Sequence, residues 1–289
     1  MLNFLGLDPK YSNLESAKYC IFPIPYERTT TFGKGTEFGP KSILEASQQV
    51  ELYDEELNSE PYLAGIATLQ ALTFPENLDI NDCIDLIYST VKDYLSDNKY
   101  LCSLGGEHSI TFPIVKAHLE KYPNLQVLQI DAHADLRQEY EGSPYNHACV
   151  MARIHELTTF TSVGIRSLSI EESEFIRKNN LPVWFARQMA GNTHWMFEVL
   201  ESIQNPVYIT LDVDYFDISI MPATGTPEPG GGHWYPTLQF LKHMFSEKEV
   251  VGLDVVEYAP RENDHASGFM VAKFLYKMIA YWENGKREK

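Results

Sequence analysis

The chain is poor in basic residues, in cysteine and in long apolar runs, and each shortage excludes something. Its 289 residues carry 23 lysines and arginines against 40 aspartates and glutamates, a net charge of −17. Such a surface repels phosphate backbones and anionic lipid and draws small cations, so neither nucleic acid nor a membrane is expected as a partner. Cys20, Cys83, Cys102 and Cys149 form no CxxC spacing, and a chain of this length builds its core without staples. They read as reduced core residues of a cytoplasmic protein. No segment approaches the ~20 apolar residues of a membrane span. The start "MLNFLGLDPK" also lacks the basic region and apolar stretch of a signal peptide. Repeats, low-complexity blocks and linkers are missing too, which leaves one domain over 1–289 as the simplest organisation.

What is present is 44% hydrophobic residues, enough for a large core, arranged in two alternating patterns. Short apolar runs at 19–25, 100–106, 125–131, 160–166, 206–214 and 250–256 read as buried strands. Between them, 41–53, 82–97, 110–122, 169–180, 237–245 and 268–282 have helical periodicity. Alternating β and α elements predict an α/β fold of three layers, α/β/α, around a mostly parallel central sheet. Ligands in such sheets bind beyond the carboxyl ends of the strands.

Those ends hold the unusual residues. "GGEHS" follows one strand, "DAHAD" a second, "DVD" ends a third and "DVVE" lies on a fourth. In an extended segment Asp131, His133 and Asp135 face one side, and that crowding needs a counter-charge. Together with His108, Asp212 and Asp214 they offer oxygen and nitrogen donors without a thiolate. The set suits a hard or borderline divalent ion and is too large for one zinc. Two ions ~3.5–4 Å apart would use all of it, with manganese the first choice and nickel the second. Taken singly, each piece also fits a solvated turn or a hydrogen-bonded structural histidine; their conjunction at separate strand ends is what points to metal.

The segments "GGEHS", "DAHADLR…YEGS…NHA", "TLDVDYFD", "GTPEPGGG" and "GLDVVEYAP", with the opening "PIPYERTTTFGKGTEFGPKSILEAS", resemble the signatures of the ureohydrolases, the family of arginases and agmatinases. The resemblance implies the arginase-like fold, a homo-oligomer (trimer or hexamer) and hydrolysis of a guanidino group to urea and an amine. It makes His108, Asp131, Asp135 and Asp212 ligands of one manganese and Asp131, His133, Asp212 and Asp214 ligands of the other, so that Asp131 and Asp212 bridge. It also implies that Glu257 binds the guanidinium, that His147 carries a proton to the departing amine, and that Asp135 takes up a proton from the attacking water.

For the substrate, "DLRxxYEGxPxxH" is similar to agmatinases, with Arg137 where arginases place an asparagine, while Ser143 and Asn146 stand at altered spacing. The expected small cationic guanidino substrate is therefore agmatine, giving putrescine for polyamine biosynthesis. Guanidinobutyrate, guanidine or formimidoylglutamate come second, since Arg137 could meet a carboxylate unless Glu139 or Glu141 occupies it, and arginine comes third. Elsewhere, "GTEFGPKS" is a broken phosphate-loop pattern without that meaning, and "TGTPEPGGGH" reads as a loop walling the site. Arg166 reads as a structural ion-pair partner, and the apolar face of 269–282 as core.

Overall fold

The computed structural model describes residues 2–95, 99–204 and 206–287. Eight strands form one sheet: β1 (Tyr19–Ile24), β2 (Ile66–Thr68), β3 (Tyr100–Gly105), β4 (Gln126–Ile130), β5 (Phe160–Ile165), β6 (Val183–Phe185), β7 (Val207–Asp212) and β8 (Val250–Val256). Their order is β2-β1-β3-β8-β7-β4-β5-β6, and every pairing is parallel, not merely most of them.

Period-two alternation sends successive strand residues into two separate cores. Ile21, Leu128, Ile209 and Leu253 enter one, against the helices Gly39–Ser47, His194–Ser202, Trp234–Glu247 and His265–Arg287. Phe22, Val127, Tyr208 and Val251 enter the other, against Ile80–Leu95, Thr111–Lys121, Val150–His155 and Ile170–Asn179. This is the expected three-layer arrangement.

The sequence reading has both β2 and β6 missing, for each is three residues long at a sheet edge and too short to show a pattern. The helices Val150–His155 and His194–Ser202 were not anticipated either. The helix expected over 41–53 stops at Ser47, because the chain turns there toward an antiparallel bridge between Asp54 and Ser59. Positions 96 and 97 of the helix expected over 82–97 lie outside the described residues. All four cysteines are buried and none forms a disulfide among the described residues, and no helix among the described residues is long and apolar enough to cross a membrane.

The long helix His265–Arg287 does pack its apolar face into the core, through Val271, Phe274, Leu275 and Met278. It also carries a buried charge that periodicity did not reveal. Lys277 Nζ lies 3.0 Å from Asp54 Oδ2 and 2.8 Å from Glu56 Oε2, and Tyr281 donates to Glu56 Oε2 at 2.6 Å. Removing one partner of such a pair strands the other without solvent. Lys277→Met should therefore lower the unfolding free energy by about 3–5 kcal/mol, and adding Asp54→Asn should return most of it. Urea denaturation of the single and double variants measures both; a neutral single variant would show that the pair is not holding the 52–57 loop.

Candidate metal centre and active site

The central strands β3, β8, β7 and β4 lie side by side where the strand order reverses, and their carboxyl ends meet at one crevice. β3 runs into Gly106, whose amide bonds Ile24 O, and Glu107, whose amide bonds Tyr26 O. A side chain at Gly106 would sit 2.0 Å from Tyr26 O, so only glycine lets the segment lie this close to the β1 extension. The turn His108–Ile110 then aims His108 into the crevice.

Beyond β4 the strand ends at Ile130, and Asp131, His133 and Asp135 converge through a loop and not through the extended run expected for them. Asp135 takes a left-handed φ of 52°, held by Met151 and Ala152 amides donating to its carbonyl. At the end of β7, Asp212 accepts from the Asp214 amide at 2.9 Å, turning both carboxylates the same way. After β8, Glu257 has φ 65° and its amide bonds Gly106 O.

The donor atoms fall into two groups, His108 with Asp131 and Asp212, and Asp131 with His133 and Asp214, each within 4.8 Å of one another. Asp131 belongs to both; Asp212 stands in the first only. His108 Nδ1 is 3.0 Å from Asp135 Oδ2 and 3.2 Å from Asp131 Oδ2, and His133 Nδ1 is 2.8 Å from Asp214 Oδ2. Gln129 Nε2 donates to Asp131 Oδ2 at 2.8 Å and, with the His133 amide on Oδ1, fixes that carboxylate.

The electrostatics of this set call for cations. Burial, followed by Asp214, Asp131 and Glu257, pushes the Asp212 carboxyl well above its ordinary range. Burial and then Asp131 raise Asp135 to about 7. Burial would lower His133, yet the Asp214 charge wins and lifts it to about 10. The tautomer of His108 is decisive. Thr210 Oγ1 donates to Asp254 Oδ1 at 2.7 Å, so it must accept from His108 Nε2–H at 2.9 Å. Burial opposes a charge on His108, but Asp131 and Asp135 outweigh it and hold its pKa well above the ordinary range. When a cation supplies that charge instead, the ring is neutral and its buried Nδ1, which has no hydrogen-bond partner of good geometry among the described residues, turns its lone pair toward Asp131 and Asp135. Lone pair facing carboxylate is repulsive unless a cation stands between them. The residues therefore fit a binuclear divalent centre.

Asp254 and Thr210 escaped the sequence reading as functional residues; a lone carboxylate inside the apolar run "VVGLDVV" was the available signal. We expect Thr210→Val to weaken manganese binding ~10–100-fold, as loss of a ligand-orienting partner does. Titration calorimetry checks it, and unchanged affinity would remove Thr210 from that role.

A cleft of about 130 Å³ opens over the cluster, with Glu257 and His147 in its wall and Arg137, Tyr140 and Phe32 along it. Phe32 is 80% exposed and marks the rim. Glu257 is only 8% exposed; burial and then Glu107 hold its carboxyl well above the usual range. Its Oε1 accepts from the His108 amide at 2.6 Å, leaving Oε2 for a ligand. His147 follows the Asn146 cap, and both its amide and Nδ1 meet Thr29 Oγ1.

The surrounding residues resolve one open alternative and overturn one expectation, the ion pair of Arg166. Arg137 is not occupied by Glu139 or Glu141; its guanidinium lies 4.9 Å from the Tyr140 ring centroid and makes no ion pair among the described residues. Asn146 Oδ1 accepts from the Ala148 amide and Ser143 Oγ from the Tyr145 amide, so the acceptor oxygens of both are engaged within their own turn. Arg166 forms no ion pair with a carboxylate among the described residues: it donates to the carbonyls of Gly164, Asp214, Glu228 and Pro229, because loop backbone is what converges on it. Within "TGTPEPGGGH" only Gly225 and Thr226 line the cleft, while 228–231 is fastened by Arg166 and Asp217.

A parallel α/β/α sheet with a carboxylate and imidazole cluster at its switch point is the arrangement of a metal-dependent hydrolase of the α/β class. The arginase family matches residues 17–280, and the chain belongs to that family. It is 41% identical to N(1)-aminopropylagmatine ureohydrolase of Synechocystis sp., over 94% of this chain and 92% of that protein. Agmatinase of Pyrococcus horikoshii is 34% identical, over 92% and 93%. The crystal structure of agmatine ureohydrolase of Thermoplasma volcanium superposes with a TM-score of 0.86 at 33% identity, covering 95% and 92%. The chain is thus a hydrolase acting on C–N bonds in linear amidines, from a family that depends on a binuclear metal centre.

Proposed function

We propose that the chain releases urea from a linear cationic guanidine of the agmatine and aminopropylagmatine type, at two manganese ions held by His108, Asp131, Asp135, His133, Asp212 and Asp214. The observation that carries this is Glu257, a buried carboxylate with one oxygen unclaimed beside the Asp131 cluster. Agmatine alone was the first expectation. Relatives of both names match along nearly the whole chain, which supports the wider class.

When bound, the ions would lower the pKa of a shared water from 15.7 toward ~7. The protein does the rest. Glu257 Oε2 accepts N–H from the guanidinium and holds its carbon in line. Asp135 accepts a proton from the attacking water, and His147 delivers one to the departing amine, which leaves as putrescine or its aminopropyl derivative. Arg137, without an ionic partner, disfavours a second positive charge placed directly against it, so the distal ammonium passes along the Phe32 side of the rim. Manganese as the first choice of metal with nickel the second, a trimer or hexamer, and a cytoplasmic setting in polyamine biosynthesis complete the reading.

The test is a urea-release panel on manganese-loaded protein with agmatine, aminopropylagmatine, guanidinobutyrate, formimidoylglutamate, arginine and a chromogenic phosphate ester. Turnover of either of the first two supports the proposal. Silence toward every guanidine compound, with metal bound, would refute it.

A further inference from the structure

We infer that Glu107 and Thr29 are positioning residues for His147, forming a fixed hydrogen-bond relay that leaves Nε2 as the nitrogen exchanging protons in the cleft. The inference rests on the proton-carrying role proposed for His147.

It follows from counting hydrogens. A carboxylate only accepts, a hydroxyl has one proton and two lone pairs, and each imidazole nitrogen has either a proton or a lone pair. Glu107 is completely buried and accepts four bonds: the Arg28 and Thr29 amides on Oε2, and the Thr29 and Ser109 hydroxyls on Oε1, all at 2.6 Å. The Thr29 proton is thereby committed to Glu107. Its two lone pairs remain, and two donors face them: the His147 amide at 3.0 Å and His147 Nδ1 at 3.2 Å. Nδ1 must then carry hydrogen whether the ring is neutral or charged. No proton crosses the relay, and Nε2 alone gains and loses one.

Three strand ends contribute, since Thr29 follows β1, Glu107 follows β3 and His147 lies in the loop after β4. The ring is further steadied by an edge-on contact with Tyr140, 6.4 Å between centroids at 88°. Burial, the largest influence, lowers the His147 pKa from its ordinary value; Glu107 opposes this, and positive charge on His108 or His133 adds to it. A carboxylate acting through a hydroxyl orients the imidazole as it would a metal-bound one, and without it the ring is free to present the wrong nitrogen.

The experiment compares Thr29→Val, which keeps the shape and removes the hydroxyl, with Thr29→Ser, each in the parent holoenzyme and in His147→Ala. We expect Thr29→Val to lower kcat ~10–100-fold with KM and manganese content within about twofold of the parent, Ser to restore the rate, and Thr29→Val to add no further loss on His147→Ala. Parent-like kcat in Thr29→Val, or a loss that multiplies with that of His147→Ala, overturns the relay while the ureohydrolase reading stands. Full activity in His147→Ala overturns the relay and the role of His147 together. Absence of urea release from the parent enzyme overturns the functional reading, and the relay with it.

Discussion

Replacing Asp131 with alanine is expected to empty both halves of the metal cluster and to take urea release below ~10⁻⁴ of the parent rate, because nucleophile activation of the kind bound ions supply is lost completely. The reason is topological. Asp131 is the residue common to the two donor groups, so its removal deprives His108 and Asp212 of a partner on one side and His133 and Asp214 on the other. Its neighbours cannot compensate: Gln129 Nε2, which keeps only the His133 carbonyl as acceptor, and the His133 amide are donors and repel a cation. His133→Ala, by contrast, strips only one group and should leave about one ion per chain. Metal content measured by emission spectroscopy beside the urea assay decides it. Two ions still bound to the Asp131→Ala protein would refute the shared-ligand arrangement. A folding defect is separable, since deleting a carboxylate from a cluster of carboxylates relieves repulsion. The melting temperature of chelated Asp131→Asn should not fall below that of the chelated parent.

Glu257→Gln is expected to keep both ions and to lose kcat/KM by on the order of 10²–10³-fold, the effect of truncating a buried hydrogen-bonded charge pair. Oε1 is engaged by the His108 amide at 2.6 Å, and a glutamine oxygen can keep that bond. The backbone, strained at φ 65°, keeps its shape as well. What changes is the group presented to the cleft: an acceptor oxygen becomes an NH₂ that opposes a guanidinium donor. Parent-like turnover would take Glu257 out of the substrate site. Loss of metal in the same variant would make it a structural prop for His108 instead.

Much of the fold was legible because burial writes a local pattern. Six of the strands announce themselves as apolar runs, and the helices Ile80–Leu95, Thr111–Lys121 and Ile170–Asn179 fall within a few residues of their periodic stretches. The edge strands β2 and β6 are too short to carry a period. The convergence of His108, Asp131, His133, Asp212 and Asp214 was also legible, since histidine and aspartate directly after apolar strands have few inexpensive explanations. Their partners were not. Thr29 meets His147 across 118 positions, Thr210 meets His108 across 102, and Lys277 meets Asp54 across 223. No spacing rule joins such pairs. Arg166 shows the same limit, because a guanidinium gives the same sequence signal whether carboxylates or carbonyls await it.

By itself the sequence determined the chemistry available: which side chains offer donors to a cation, a carboxylate to a guanidinium or an imidazole to a proton, and that they sit just past buried strands. Those are properties of single residues and their immediate neighbours. Only the tertiary structure decided the neighbourhood. Packing two cores on opposite faces of one sheet set β3, β8, β7 and β4 side by side, and a strand spacing of ~5 Å then brought residues 108, 131, 212 and 257 around one crevice. Long-range contact of this kind is fixed by burial summed over the whole chain, which no local stretch encodes.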